Sequence, residues 1–244
     1  MRYLILSDIH SNLTALEAVL KDAPSGLPVW CLGDLVGYGP NPNECVETLR
    51  ALDPACIVGN HDWAVMDKTD IEDFNPEAKK AVLWTRAQLK PENLAYLESL
   101  PISLIKGEFT LVHGSPRKPI WEYLLHPSTA SFNLAYFNTM YCLVGHTHVP
   151  ILFRFREQGD KPVCEAERLC EGGAHLLGQD RLIINPGSIG QPRDGDARAS
   201  YAILDTQAKT IECRRVSYDI TAVQRQMEQA RLPHRLIARL SYGW

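Results

Sequence analysis

Residues 2–10 read Arg2-Tyr3-Leu4-Ile5-Leu6-Ser7-Asp8-Ile9-His10. A short apolar run closed by a carboxylate predicts a buried strand over residues 2–7, with Asp8 and His10 at its carboxyl end. The pattern then repeats along the chain. Residues 12–21 place Leu13, Leu16 and Leu20 on one helical face. Residues 29–32 form a second short apolar run, ending at Gly33-Asp34. Asn41-Pro42-Asn43-Glu44 predicts a helix start, with Asn41 as the cap, Pro42 in the first helical position and Glu44 reaching back. Residues 55–58 predict a third strand, ending at Gly59-Asn60. This β-α-β-α-β order predicts an α/β fold with a parallel sheet and helices on its faces.

Further along, Asn75-Pro76-Glu77 and Pro91 each open a helix and Pro101 stops the second. A helical insert over residues 65–105 is therefore expected within a single domain spanning 1–244. Residues 109–112 and 141–144 predict two more strands, ending at His113 and Gly145. After residue 150 the pattern changes. Segments 151–156, 181–184, 200–204 and 209–216 read as strands without helices between them, which predicts antiparallel pairing. Residues 157–180 are polar and Gly-rich, as in a surface hairpin or loop, and residues 219–231 read as a final helix.

The 244 residues carry 25 Lys and Arg against 29 Asp and Glu, a formal net charge of -4. That balance, and the lack of a basic stripe, disfavours a nucleic-acid partner and an anionic membrane surface. The 7 cysteines are odd in number, with no Cys-x-x-Cys pair, as expected for reduced, mostly buried thiols. The apolar stretch at the amino terminus is too short for a secretory signal, and no run approaches the roughly 20 residues of a membrane span. A cytoplasmic location is expected.

Five groups stand at or beyond strand ends: Asp8-Ile9-His10, Gly33-Asp34, Gly59-Asn60-His61-Asp62, His113-Gly114 and Gly145-His146-Thr147-His148. Each has a plain reading alone, as a turn, a capping loop or a strand end. Together they gather Asp, His and Asn at one edge of the sheet, where such folds build their sites. Imidazole and carboxylate suit divalent manganese, iron, zinc, cobalt or nickel. In Asp-x-His and His-x-His, alternation along an extended segment would aim both side chains the same way. Five of the 8 histidines fall in these groups, and His126, His175 and His234 read as surface or structural residues.

In this order the five groups resemble the calcineurin-like metallophosphoesterase superfamily. Asn185-Pro186-Gly187-Ser188 further resembles a motif of its small bacterial and archaeal phosphodiesterase branch. The resemblance implies a four-layer α/β/β/α sandwich and two divalent transition-metal ions, manganese first among them. It assigns Asp8, His10 and His148 to one metal and Asn60, His113 and His146 to the other, with Asp34 bridging. His61 would face the substrate, with Asp62 orienting it. The implied reaction is hydrolysis of a phosphomonoester or phosphodiester by a hydroxide held between the metals.

The substrate is read more coarsely. Protein Ser/Thr phosphatases of this superfamily carry an arginine where Tyr38 stands in Gly33-Asp34-Leu35-Val36-Gly37-Tyr38-Gly39. A small phosphorylated molecule or nucleotide therefore ranks first. A dinucleoside-polyphosphate hydrolase, a protein phosphatase and a non-catalytic interaction scaffold remain alternatives. Tyr38 is a candidate for the substrate entrance. Arg193 is a candidate phosphate contact, against the plainer expectation of a solvated arginine paired with Asp194 or Asp196. Trp84, Trp121, Tyr123, Tyr136 and Phe137 read as core or cap packing rather than a stacking surface.

Overall fold

The computed structural model describes residues 1–72, 74–158 and 161–244. The chain opens with β1 (Arg2–Leu6), α1 (Leu13–Asp22), β2 (Val29–Cys31), α2 (Pro42–Arg50), β3 (Ala55–Cys56) and α3 (Asn60–Val65). Then come α4 (Pro76–Gln88), α5 (Pro91–Ser99), β4 (Ser103–Lys106), β5 (Phe109–Val112), α6 (Pro127–Asn133) and β6 (Tyr141–Leu143). The last third holds β7 (Ile151–Gln158), β8 (Lys161–Arg168), β9 (Ala174–Leu176), β10 (Arg181–Asn185), β11 (Ala199–Asp205), β12 (Thr210–Val216), α7 (Ile220–Gln229) and α8 (His234–Arg239).

The strands form two mixed sheets, ordered β3-β2-β1-β11-β12-β9 and β4-β5-β6-β10-β7-β8. In the first, β1 runs parallel to β2, with Ile5 opposite Trp30, and antiparallel to β11, with Ile5 opposite Ala202. In the second, β6 runs parallel to both β5 and β10, and β7 to β8 is an antiparallel hairpin.

Strand alternation sorts the core into layers. Leu4 and Leu6 face α1 and α2, in a cluster with Leu16, Val19, Val46 and Leu49. Ile5, Trp30 and Leu32 face the other way and meet Phe109, Leu143, Leu182 and Ile184 between the sheets. Cys142, Ile183 and Phe153 form the outer face of the second sheet, packed on Leu124 and Ala130 of the α6 region. The order is thus helices, sheet, sheet, helices, the α/β/β/α layering expected. Phe153 is fully buried in the outer cluster. Phe153→Ala should therefore lower unfolding stability by about 3–5 kcal/mol in a urea titration.

Several local expectations need correction. α2 begins at Pro42, but the Asn41 side chain makes no capping hydrogen bond, so the proline alone marks the start. Within the 157–180 segment, read as a surface hairpin or loop, the hairpin holds, with residues 161–168, paired to β7, as the edge strand β8. Its polar sequence, with Pro162, hides a strand that needs to bury little. α6 and α8, at seven and six residues, are too short for a periodic signal, and β4 is an edge strand with mostly exposed side chains rather than a buried apolar run.

Candidate metal centre

The loops beyond β1, β2, β3, β5 and β6 meet at one end of the two sheets. Asp8, His10, Asp34, Asn60, His61, His113, His146 and His148 are all buried there. Two overlapping ligand groups result: Asp8, His10, Asp34 and His148 in one, and Asp34, His113 and His146 in the other. Asp34 belongs to both. Asn60 joins the second group, its Oδ1 lying 3.0 Å from His113 Nε2.

The pairs do not converge by strand alternation. Asp8, His10, Asp34, His146 and His148 all have left-handed backbones, with φ of 53°, 49°, 53°, 66° and 61°. His146 and His148 accordingly part company, one to each group. Such conformations cost of order 1–3 kcal/mol each and persist only where the surroundings impose them. Here the surroundings are plain. Asp8 N donates to Gly33 O at 3.1 Å, His10 N to Asp34 O at 2.9 Å and Gly190 N to Asp8 O at 2.9 Å. Ser188 Oγ also donates to Asp8 O at 2.9 Å. Asn185 Nδ2 holds Gly145 O and Thr147 Oγ1, the latter at 2.9 Å. The Asn185-Pro186-Gly187-Ser188 segment is thus the brace behind the ligand loops.

Backbone carbonyls also set the imidazole rings. The Nδ1 atoms of His10, His113 and His148 lie 3.2, 2.8 and 2.5 Å from Val36 O, Leu32 O and Gln191 O. With Nδ1 donating, each Nε2 is left pointing inward as a potential ligand. His146 is reversed, its Nε2 lying 3.2 Å from Trp121 O, which leaves Nδ1 for the cluster.

The interior of the cluster is electrostatically unfinished. His10 Nε2 faces His148 Nε2 at 3.1 Å. Asp34 Oδ2 lies 3.3 Å from His113 Nε2 and 3.5 Å from His10 Nε2, yet makes no well-formed hydrogen bond among the described residues. Burial works to raise the Asp8 carboxyl, but the charge and hydrogen bond of His148 overcome it and hold it below the usual range. Burial lowers His10 and takes His146 down to about 3, so both are neutral and ready to coordinate. For His113 burial is outweighed by Asp34, which lifts it to about 10. The buried carboxylates thus favour positive charge at this point, which a divalent cation can supply. An orphaned buried carboxylate oxygen among inward-facing imidazole nitrogens fits divalent transition-metal ions.

The remaining candidate residues divide. His61 sits beside the cluster, its ring centroid 5.0 Å from that of His10, 4.2 Å from Tyr38 and 5.3 Å from Phe74. Burial, ahead of the nearby charges, pushes it down to about 4, so at neutral pH its ring is neutral. A protonated His61 is therefore not the resting form. Among the described residues, Asp62 makes no hydrogen bond to the His61 ring. Its Oδ1 accepts from Val36 N at 3.1 Å and its Oδ2 from Gly59 N at 2.9 Å, so it caps α3 and ties two ligand loops together. Tyr38 is buried against His10 and His61. Arg193 is not paired with Asp194 or Asp196, which bind Arg215 and Arg198 instead.

Beside the cluster lies a cavity of about 220 Å³, lined by Tyr38, Asn60, His61, Phe74, Asn75, Ala78, Trp121, Tyr123 and His146. The reading of Trp121 and Tyr123 as packing residues is therefore revised. Trp121 and Tyr123 are 39% and 49% exposed at the mouth, and Tyr123 stacks on His146 with centroids 4.0 Å apart. Two aromatics on the loop just after His113-Gly114 were the sequence signal for this.

Known proteins resemble the chain in sequence and fold. An uncharacterized protein of Methanocaldococcus jannaschii is 44% identical over 246 residues, covering 98% of this chain and 97% of its own. A metallophosphoesterase from Sphaerobacter thermophilus superposes with a TM-score of 0.89 at 48% identity, over 100% of this chain and 99% of that one. A hypothetical protein of Pyrococcus horikoshii shares the fold with a TM-score of 0.77 at 22% identity, over 100% of this chain and 98% of its own. Residues 1–209, which include every member of both ligand groups, match the profile of the calcineurin-like phosphoesterase superfamily domain, and the chain belongs to that superfamily.

Proposed function

We propose that the chain is a dinuclear-metal-dependent phosphoesterase that hydrolyses phosphomonoesters or phosphodiesters of small molecules or nucleotides. The observation that carries this reading is the sharing of Asp34, with its orphaned Oδ2, between two ligand groups. Asp8, His10 and His148 would hold one ion and Asn60, His113 and His146 the other. Bound divalent ions, with manganese proposed first and iron, zinc, nickel or cobalt sharing the donor preference, would polarise the phosphoryl oxygens and acidify water.

The chain's own groups do the rest. The neutral His61 ring is placed to donate an N–H to a phosphoryl or leaving-group oxygen, and Gly37 leaves it room, since a Cβ there would stand 2.7 Å from His61 Nδ1. Tyr38 stays protonated, because burial raises its pKa, and can offer its hydroxyl at the entrance. The segment 65–105 contributes Phe74, Asn75 and Ala78 to one wall of the cavity, and Trp121 and Tyr123 close the other. The 220 Å³ of space supports a small phosphorylated or nucleotide substrate over a folded protein. No helix among the described residues is long and apolar enough to cross a membrane. Seven free cysteines, five of them buried, support a cytoplasmic setting.

The test is turnover of p-nitrophenyl phosphate and bis-p-nitrophenyl phosphate by chelated protein reloaded with single metals. Manganese should restore hydrolysis of at least one ester, and His61→Gln should lower kcat about 10²–10⁴-fold. Inactivity with every metal would sink the reading, and full turnover by the His61 variant would remove that residue's role.

A further inference from the structure

Beyond Tyr38 lies a pair of arginines that no carboxylate answers. Asp194 is bound by Arg215, and Asp196 by Arg198 at 2.7 Å, so the acidic residues of the 191–196 loop are already engaged. Among the described residues, no acidic oxygen lies within 4.0 Å of a charged nitrogen of Arg193 or Arg239. Arg193 Nη2 donates instead to Gln191 Oε1 at 3.0 Å, and Arg239 Nη1, from the end of α8, donates to the same oxygen at 3.1 Å. One amide oxygen therefore holds two guanidinium groups side by side. Arg193 Nε is buried with no partner among the described residues. Burial, and then the neighbouring Arg193, lower the pKa of Arg239.

The pair is held in register with the metal centre. Gln191 is buried, and its backbone carbonyl accepts the Nδ1 hydrogen of His148 at 2.5 Å while its side chain gathers the arginines. The Arg193 Cζ stands 5.8 Å from the centroid of the Tyr38 ring, whose other neighbours are His61 and His10. Arg193 Nη2 also donates to the Tyr38 hydroxyl at 3.4 Å. Guanidinium forks match phosphate oxygens geometrically, and an anion beside the pair would offset two positive charges that no carboxylate neutralises.

We infer that Arg193 and Arg239 form a second anion subsite, one tyrosine ring away from the metal centre, for a phosphate ester that carries a second phosphoryl group. The inference rests on the phosphoesterase reading for the first phosphate. It makes selectivity a property of α8 and the 191–196 loop, whatever occupies the aromatic mouth.

Calorimetry on manganese-loaded protein at fixed free metal tests it with three probes. Adenosine monophosphate carries one phosphate, adenosine 5′-(α,β-methylene)diphosphate carries two in line, and adenosine 3′,5′-bisphosphate carries two on separate carbons. At least one two-phosphate probe should bind about 10–100-fold tighter than the monophosphate. The preferred probe reports the linkage. Arg239→Met and Arg193→Met should each cut that preference about tenfold or more, whereas Arg235→Met, exposed on the same helix, should keep it. Equal binding of all probes by the wild type, or a preference that survives both substitutions, would overturn the inference. Turnover of p-nitrophenyl phosphate, which has one phosphate, reports on the phosphoesterase reading separately. Its absence beside an intact probe preference would sink that reading and leave the anion subsite standing.

Discussion

Asp34→Asn should reduce kcat by about 10³-fold or more and lower the metal content of the purified protein. The substitution keeps size and shape, so the loss would be one of charge and coordination. Asp34 Oδ1 accepts from His61 N at 2.8 Å, and Oδ2 lies between the Nε2 atoms of His10 and His113. An amide with its oxygen toward His61 turns its NH₂ into the cluster, where a cation should sit. Flipped, it presents NH₂ to the His61 N–H, two donors face to face. Neither orientation restores a bridging carboxylate. Elemental analysis should give fewer than two ions per chain, and circular dichroism should retain the native spectrum. Full turnover with two ions bound would contradict the bridging assignment.

Gly190→Ala should destabilise the fold by about 3 kcal/mol or more and also impair activity, though residue 190 carries no catalytic group. A Cβ at Gly190 would stand 1.9 Å from Ile9 O and 2.7 Å from Ile9 C. Both are backbone atoms, with no rotamer to swing aside. Nor can the glycine retreat, since its N–H binds Asp8 O at 2.9 Å and its carbonyl accepts Asn12 Nδ2 at 3.0 Å. The strain must be relieved by moving the Asp8-Ile9-His10 loop, and with it two candidate ligands. Misplacement of about 1 Å can cost 10²-fold in rate. Gly173→Ala is the matching control, because a Cβ there meets nothing within 4 Å. It should stay within about 0.5 kcal/mol of the wild type in urea. Equal stability of the two variants would show that the close approach at Gly190 is not rigid.

The ligand loops were legible because coordination chemistry restricts the side chains that can serve. Asp, His and Asn following five apolar runs announce themselves whatever their eventual partners. The four-layer order follows from the family resemblance, while the residues alone predict a parallel sheet with helices at first and antiparallel pairing after residue 150. What escaped depended on tertiary packing. Asp62 looked like a partner for His61 by adjacency, but three residues after Gly59 is also the spacing of a helix cap, and the backbone donors claimed it. Arg193 seemed paired by proximity in sequence, yet Arg215 from β12 reaches Asp194 across 21 positions. Arg239 carries no local signal, since it reaches Gln191 only through the docking of a six-residue helix.

The hydrogen bonds from ligand imidazoles to main-chain carbonyls have a bearing on how the protein lives with changing metal supply. A receptacle shaped by its own scaffold needs little rearrangement to take up an ion, and an ion held there would add to the stability of the native chain. Under scarcity of one element, such a protein can accept whichever suitable ion the cell has to spare.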